Sequence, residues 1–197
     1  MKQLFKLLTL AAVVLAASCS GGADFTQQEI ELINANPDGL MHIYKADNEQ
    51  ELQVLKSPSQ MLSKKAINSD DYKKLEERMK LILADSDHNG IGLSAPQLGI
   101  NKAVVAIRRQ DLDGQPVIVY PNITIDEYSE DIYVADEGCL SVPGKSGNVD
   151  RSMVVVVKYF NTQEQKMVKD TIKSYASIVF QHEIDHLYGI LYTDRAW

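Results

Sequence analysis

Residues 175–188 read YASIVFQHEIDHLY, and this stretch near the end of the 197-residue chain decides how the rest is interpreted. Its apolar residues recur at the spacing of one face of a helix. His182 and His186 stand four residues apart, so on a helix they project from the same face and can hold one metal ion. Glu183 stands where the H-E-x-x-H pattern places a general base. The alternative is a surface helix that carries two unrelated histidines.

A catalytic metal site usually takes three protein ligands, so a third one is needed. Only 11 residues follow His186, and Asp194 is the sole acid among them, which turns the search upstream. Residues 137–144 read EGCLSVPG and predict a loop between two strands, with Cys139 presented from it. A thiolate with two imidazoles suits zinc or ferrous iron. On its own, Cys139 would be interpreted as a small buried apolar residue.

Residues 90–99 read GIGLSAPQLG and form the third informative segment. The segment lacks the context of a dinucleotide fingerprint and the Gly-Lys-Ser/Thr of a phosphate loop. Its small residues allow the backbone to approach a substrate closely, and Gln97 can donate a neutral hydrogen bond. Taken alone, the segment is equally consistent with a plain turn.

The remaining pattern predicts an α+β fold in which antiparallel β-sheets pack around the C-terminal helix that carries H-E-x-x-H. The order is one helix, several strands and a closing helix, which differs from the alternation of a parallel α/β fold. Asp-Gly and Asn-Thr dipeptides between β-rich runs indicate hairpin turns. The predicted elements are a helix over 70–87 and two hairpins, 103–107 with 116–120 and 152–160 with 165–170.

The first 19 residues read MKQLFKLLTLAAVVLAASC and are typical of an export signal. Lys2 and Lys6 precede a mostly apolar, uncharged run that is shorter than the roughly 20 residues needed to span a bilayer. The segment resembles a bacterial lipoprotein signal, which is cleaved before a cysteine that then carries the lipid. We therefore expect Cys19 to be lipidated and the protein to be anchored in the bacterial cell envelope. A plain secretory signal, with a secreted product, and a buried apolar helix are the alternatives.

Composition excludes several other classes of protein. Two cysteines cannot build a disulfide scaffold, and 27 acidic against 20 basic residues argue against a broad surface for nucleic acid. We expect a monomer. The predicted organisation is a signal peptide over 1–18, a tether or irregular segment over 19–50 with a short helix at 27–34, and a catalytic domain over 51–197.

Together, the three motif segments resemble the peptide deformylase family. That family carries G-x-G-x-A-A-P-Q, E-G-C-L-S and Q-H-E-x-D-H in this order, and the resemblance extends from about Tyr72 to Thr193. It implies a metal-dependent hydrolase that removes the N-formyl group from formyl-methionyl peptides or protein N-termini and releases formate. Two alternatives stay open: an exported metallohydrolase of other peptide or acyl-amide substrates, and a non-catalytic lipoprotein that binds formyl peptides or metal. Intact Glu183 and Gln97 favour catalysis.

The resemblance also assigns roles to individual residues. Cys139, His182 and His186 would hold one divalent ion, Fe²⁺ or Zn²⁺, and Glu183 would be the general base. An oxyanion would be stabilised by Gln97 and the backbone N–H of Leu140. Gly92 would bond the substrate backbone, and Ile91 and Val179 would lie near the pocket for the first side chain.

Four further residues carry expectations of their own. Ser94 stands where the family usually has alanine, and we expect its hydroxyl to be tolerated. Asp185 is either a solvated or capping acid or a partner of a ligand imidazole. Glu137 and Arg151 have opposite charges and are expected to pair and brace the loop around Cys139.

Overall fold

The computed structural model of this chain describes residues 22–37, 39–86 and 90–197. The predicted signal peptide and Cys19 lie outside these residues. The helices are α1 (Gln27–Asn34), α2 (Glu49–Leu55), α3 (Lys64–Ile67), α4 (Asp70–Ala84) and α5 (Ser174–Leu187). The strands are β1 (Gly92–Ser94), β2 (Val104–Arg108), β3 (Val117–Pro121), β4 (Thr124–Tyr128), β5 (Ile132–Cys139), β6 (Val142–Ser152), β7 (Val154–Asn161) and β8 (Lys166–Lys173). In the part of the chain that the structure describes, no helix is both long enough and apolar enough to cross a bilayer.

The helix α5 is packed between β-sheets. Strands β1, β2 and β3 form one antiparallel sheet, β4, β7 and β8 form a second, and β5 pairs with β6. Phe180 and Ile184 of α5 share one apolar cluster with Val105 and Ile107 of β2 and Val157 of β7. The predicted α+β class, with antiparallel sheets around the C-terminal helix, is confirmed.

Both predicted hairpins form, with ends that differ by one to three residues from the prediction. In the first, the pairing of β2 with β3 runs from Val104 opposite Pro121 to Arg108 opposite Val117. In the second, β7 and β8 pair across a turn in which Asn161 Oδ1 accepts the backbone N–H groups of the two residues after Thr162, at 2.9 Å each. An asparagine side chain that replaces a backbone acceptor is a common way to close a turn.

The longest hairpin in the described residues was not predicted. The pairing of β5 with β6 runs from Ile132 opposite Ser152 to Cys139 opposite Val142. The register shifts between Gly138 and Cys139. The sequence there is interrupted by glycines and a proline, which are depleted in strands, so a loop was expected. That expectation is wrong in one respect: Cys139 is the last residue of a strand, and pairing with β6 supports it.

The segment before residue 50 is packed on the domain, which corrects the expected tether for the described residues. Helix α1 spans 27–34 as predicted and begins with a capping box between Thr26 and Glu29. Ile33 is fully buried and joins Met41 and Ile43 in the apolar core beneath α4. Polar and turn-forming residues dominate this stretch, and its few apolar anchors are too widely spaced to indicate packing. The boundaries of the signal peptide and of the catalytic domain stay predictions.

Replacing Ile33 by alanine tests whether α1 is part of the folded core. Removing a fully buried isoleucine leaves a cavity, so we expect the free energy of unfolding to fall by about 2–5 kcal/mol in urea denaturation. Glu31→Ala, on the exposed side of the same helix, is the matched control and should change it by less than about 0.5 kcal/mol. Equal effects of the two variants would contradict the packing of α1.

Candidate active site

The three predicted metal ligands come together at the end of β5 and on one face of α5. The ligand atoms of Cys139, His182 and His186 all lie within 4.8 Å of one another. Cys139 Sγ is 3.3 Å from Nε2 of His186. His182 uses Nδ1 to reach a carboxylate oxygen of Glu137 at 2.8 Å, which leaves its Nε2 for a metal. One sulfur and two imidazole nitrogens match the donors that zinc and ferrous iron accept.

A chain of buried charges holds His182 in place. Arg151 donates two hydrogen bonds to Glu137, at 2.6 and 2.9 Å, which confirms the expected pair. Arg151 also donates to Asp185 at 2.6 Å, and Arg195 donates to both oxygens of Asp185 at 2.6 and 2.7 Å. Among the described residues, Asp185 therefore accepts hydrogen bonds from arginines and from no imidazole, and the carboxylate partner of His182 is Glu137. Such outer partners fix the orientation of a ligand histidine.

Burial, hydrogen bonds and neighbouring charges shift the pKa values of the groups around the three ligands in different directions. Burial raises the pKa of Glu137, but hydrogen bonds from Arg151 and His182 outweigh it and hold that pKa at about 2. Burial lowers the pKa of His182, yet its hydrogen bonds with Cys139 and Glu137 raise it to about 10. Burial holds the pKa of His186 well below its usual value. His186 therefore favours its neutral form, which is the form in which an imidazole can coordinate a metal ion.

Glu183 is a buried carboxylate beside this cluster that keeps a free oxygen. Its side chain is 4% exposed, and among the described residues its Oε2 has no hydrogen-bond partner. Burial raises the pKa of Glu183 to about 7, which suits a group that must both take up and release a proton near neutral pH. A Cβ at Gly92 would overlap Oε1 of Glu183, so only glycine leaves room for the carboxylate in this position.

Gln97 is fixed from both sides. It lies in a single turn of 3₁₀ helix over Ala95–Leu98, and its Oε1 accepts from the backbone N–H of Ser94 at 2.8 Å and from the Ser94 hydroxyl at 3.0 Å. Its Nε2 therefore points the other way, 3.1 Å from Ser141 Oγ and 3.5 Å from Cys139 Sγ. The Ser94 hydroxyl is thus part of the site. The S-x-x-Q spacing of a capping box was the sequence signal for this contact.

These residues line a cavity of about 610 Å³. Its walls include Ile91, Gly92, Gln97, Leu140, Val179 and Glu183, together with two of the metal ligands. His186 is fully buried beneath them. The structure therefore brings together every site residue expected from the sequence except Cys19, which lies outside the described residues. Their individual roles toward a substrate stay predictions.

Comparison with known proteins identifies the family. A family model described as polypeptide deformylase matches residues 40–197. The chain therefore belongs to the polypeptide deformylase family. The matched region begins at residue 40, so part of the segment expected to be a tether lies within the family's domain. The expected enzyme class, a peptide deformylase, is confirmed.

Individual deformylases agree with the family match. A peptide deformylase from Finegoldia magna is 41% identical over 134 residues, which cover 64% of this chain and 80% of that protein. The crystal structure of the Thermotoga maritima peptide deformylase aligns with a TM-score of 0.69 and 32% identity, covering 81% of this chain and 99% of the other. A Met-Ala-Ser-bound class I type b deformylase from Acinetobacter baumannii has a TM-score of 0.69 and 31% identity, covering 80% and 98%.

Gly92→Ala tests whether the deformylase site depends on the room that Gly92 leaves. The new methyl group pushes the Glu183 carboxylate aside, and a misplacement of about 1 Å in a catalytic group can cost about 100-fold in rate. We expect kcat to fall by about that factor, with metal content and thermal midpoint close to those of the unchanged protein. A kcat within about threefold of the original, in a metal-loaded variant, would contradict this role.

Proposed function

We propose that this site hydrolyses the amide bond of an N-terminal formyl group in formyl-methionyl peptides or proteins, releasing formate and a free amine. The observation that carries the proposal is Glu183, a buried carboxylate in the cavity wall next to the cluster of Cys139, His182 and His186. Its Oε2 has no hydrogen-bond partner among the described residues. The peptide named with the Acinetobacter baumannii deformylase, Met-Ala-Ser, begins with methionine and supports the same first residue here. The family match makes other acyl-amide substrates and a purely binding role less favoured.

Cys139, His182 and His186 are proposed to hold one divalent ion, Fe²⁺ or Zn²⁺. When bound, such an ion acts as a Lewis acid toward a carbonyl oxygen and lowers the pKa of water. Both metals accept a donor set of one thiolate and two imidazoles. Glu137, itself held by Arg151, fixes the orientation of the His182 ring through the hydrogen bond at Nδ1.

The chain's own residues divide the chemistry between them. Glu183 takes a proton from the attacking water as the water oxygen bonds to the formyl carbon. The side-chain amide of Gln97 and the backbone N–H of Leu140 donate to the oxyanion that forms, and losing one such donor typically costs about 2.7–4 kcal/mol. Glu183 then gives the proton to the leaving nitrogen as the carbon–nitrogen bond breaks. A carboxyl group with a pKa of about 7 is suited to both transfers.

Three residues are proposed to position the substrate. The backbone of Gly92, in the edge strand β1, is available to bond an extended peptide. Ile91 and Val179 give the cavity an apolar wall. Val179 belongs to the apolar cluster around α5, and Ile91 packs against that cluster. An unbranched apolar first residue such as methionine fits this wall. The monomeric state stays a prediction.

Glu183→Gln tests the proposed reaction. The amide keeps the shape of the side chain and cannot accept the proton, so formate release from formyl-Met-Ala-Ser should fall by about 100- to 10,000-fold. The assay is run anaerobically on protein reconstituted with Fe²⁺ or Zn²⁺, and metal content is measured in each sample. Glu127→Gln, an exposed site on β4, is the matched control and should keep full activity. Absence of formate from metal-loaded unchanged protein would overturn the proposed function.

We also propose that the protein is exported and anchored through a lipid on Cys19, with formylated peptides or exported proteins that kept their formyl group as its substrates. The leader sequence supports this location. Two lipid chains give a stable anchor. Ala23, four residues after Cys19, already donates to the Met61 carbonyl at 2.7 Å, and its own carbonyl accepts from Ser63 at 2.9 Å. An anchor at Cys19 would therefore hold the folded domain directly at the membrane.

Cell fractionation in a bacterial host tests the anchor. We expect the protein in the membrane fraction, labelled by a fatty-acid precursor and shortened by the signal peptide. Cys19→Ser should abolish labelling and release the protein from the membrane fraction. Cys139→Ser changes the other cysteine and should leave labelling and fractionation unchanged. Unprocessed, unlabelled protein in the cytosol would end this proposal.

A further inference from the structure

Residues 44–46, here called the N-terminal strap, bond to both segments that carry the proposed oxyanion donors, Gln97 and Leu140. The backbone N–H of Tyr44 donates to the carbonyl of Gln97 at 2.8 Å, and the backbone N–H of Ala46 donates to the carbonyl of Ser141 at 2.8 Å. The strap therefore forms a hydrogen bond on each side of the cavity. It lies in the stretch that the sequence predicts to be irregular, and no motif marks it.

The middle residue of the strap adds a charged contact. Lys45 Nζ donates to the carbonyl of Leu140 at 2.7 Å, and Lys45 lines the catalytic cavity. Its backbone N–H is bound by a carboxylate oxygen of Glu51, in the first turn of α2, at 2.5 Å. Among the described residues, no carboxylate pairs with the Lys45 ammonium. The hydrogen bond of the ammonium goes to the Leu140 carbonyl, while its charge also helps to lower the pKa of Glu51.

That carbonyl belongs to the peptide group next to the metal ligand. The N–H of the same peptide group, on Ser141, donates to Cys139 Sγ at 3.4 Å. A cation bound to a carbonyl oxygen polarises the peptide group and makes its N–H a better donor. Lys45 therefore strengthens the hydrogen bond from the Ser141 N–H to the Cys139 sulfur through the peptide group between them. By fixing the Leu140 carbonyl it also fixes the direction of the Leu140 N–H on the preceding peptide.

We propose that Lys45 is a positioning residue of the deformylase reaction, holding the Leu140–Ser141 peptide so that one N–H faces the oxyanion and the next faces the thiolate. This inference rests on the proposed function, because it needs the Leu140 N–H as an oxyanion donor. Lys45 itself does not touch the reacting atoms. Its effect appears in the rate of the chemical step and in the electron density on Cys139 Sγ.

The test compares Lys45→Met with Lys45→Arg in the full chain. Methionine keeps an apolar stem and lacks both charge and donor, whereas arginine keeps both. With formyl-Met-Ala-Ser as substrate, we expect Lys45→Met to lower kcat by about 10- to 100-fold and to leave KM within about twofold. Lys45→Arg should recover at least half of the original kcat. Lys73→Met, an exposed lysine of α4 paired with Asp70, is the matched control and should change neither constant.

A spectroscopic readout separates positioning from general destabilisation. In protein loaded with Co²⁺, the thiolate-to-metal absorption band reports the electron density on Cys139. Weakening the hydrogen bond from Ser141 should move this band to longer wavelength in Lys45→Met, with no shift in Lys45→Arg or Lys73→Met. The thermal midpoint of each variant is measured without metal. Lys45→Gln, whose side chain is one bond shorter and carries no charge, should match Lys45→Met and replaces it if that variant does not fold.

The outcomes are distinguishable. Unchanged protein that releases no formate contradicts the proposed function. Active unchanged protein, together with a Lys45→Met or Lys45→Gln variant whose kcat stays within twofold and whose cobalt band does not move, overturns the role of Lys45 alone. Equal loss of kcat in the arginine and methionine variants, with an unmoved band, overturns it as well.

Discussion

The negative charge of Glu137 is the constraint on which the rest of the site depends. A carboxylate buried at the end of a strand is costly unless it is compensated, and here an arginine and a histidine compensate it together. The arginine comes from β6 and the histidine from α5, so one charge ties the hairpin to the helix. The same contact orients His182 as a ligand. The contact that compensates the charge of Glu137 therefore also sets the orientation of His182 as a ligand.

The network continues outward in alternating charges. Arg151 is shared between Glu137 and Asp185, and Asp185 is shared between Arg151 and Arg195. Each member has hydrogen bonds on both sides, which is the condition under which buried ions are tolerated. Arg195 is partly exposed and ends the series at the surface. The metal ligands are thus supported by a line of charges that runs from the cavity to solvent.

Much of this arrangement could be predicted from the sequence, for identifiable reasons. The ligands on α5 follow from a fixed helical spacing, and the pairing of β2 with β3 follows from local turn chemistry. Cys139 could be chosen as a ligand but was assigned to a loop, because pairing with β6 overrides the low strand propensity of its glycine-rich surroundings. The role of Lys45 could not be predicted from the sequence. Its partner is a backbone carbonyl 95 residues away, and a carbonyl leaves no mark in the sequence.

The order of these parts along the chain has a consequence for synthesis. The strap comes early, the cysteine strand comes late, and α5 with Arg195 comes last. During vectorial synthesis the three ligands meet only after α5 has been synthesised. Assembly of the ligand cluster therefore reports that the domain from the strap to α5 has been synthesised and has folded. An emerging or unfolded chain carries no assembled hydrolase, and activity begins only where folding is finished.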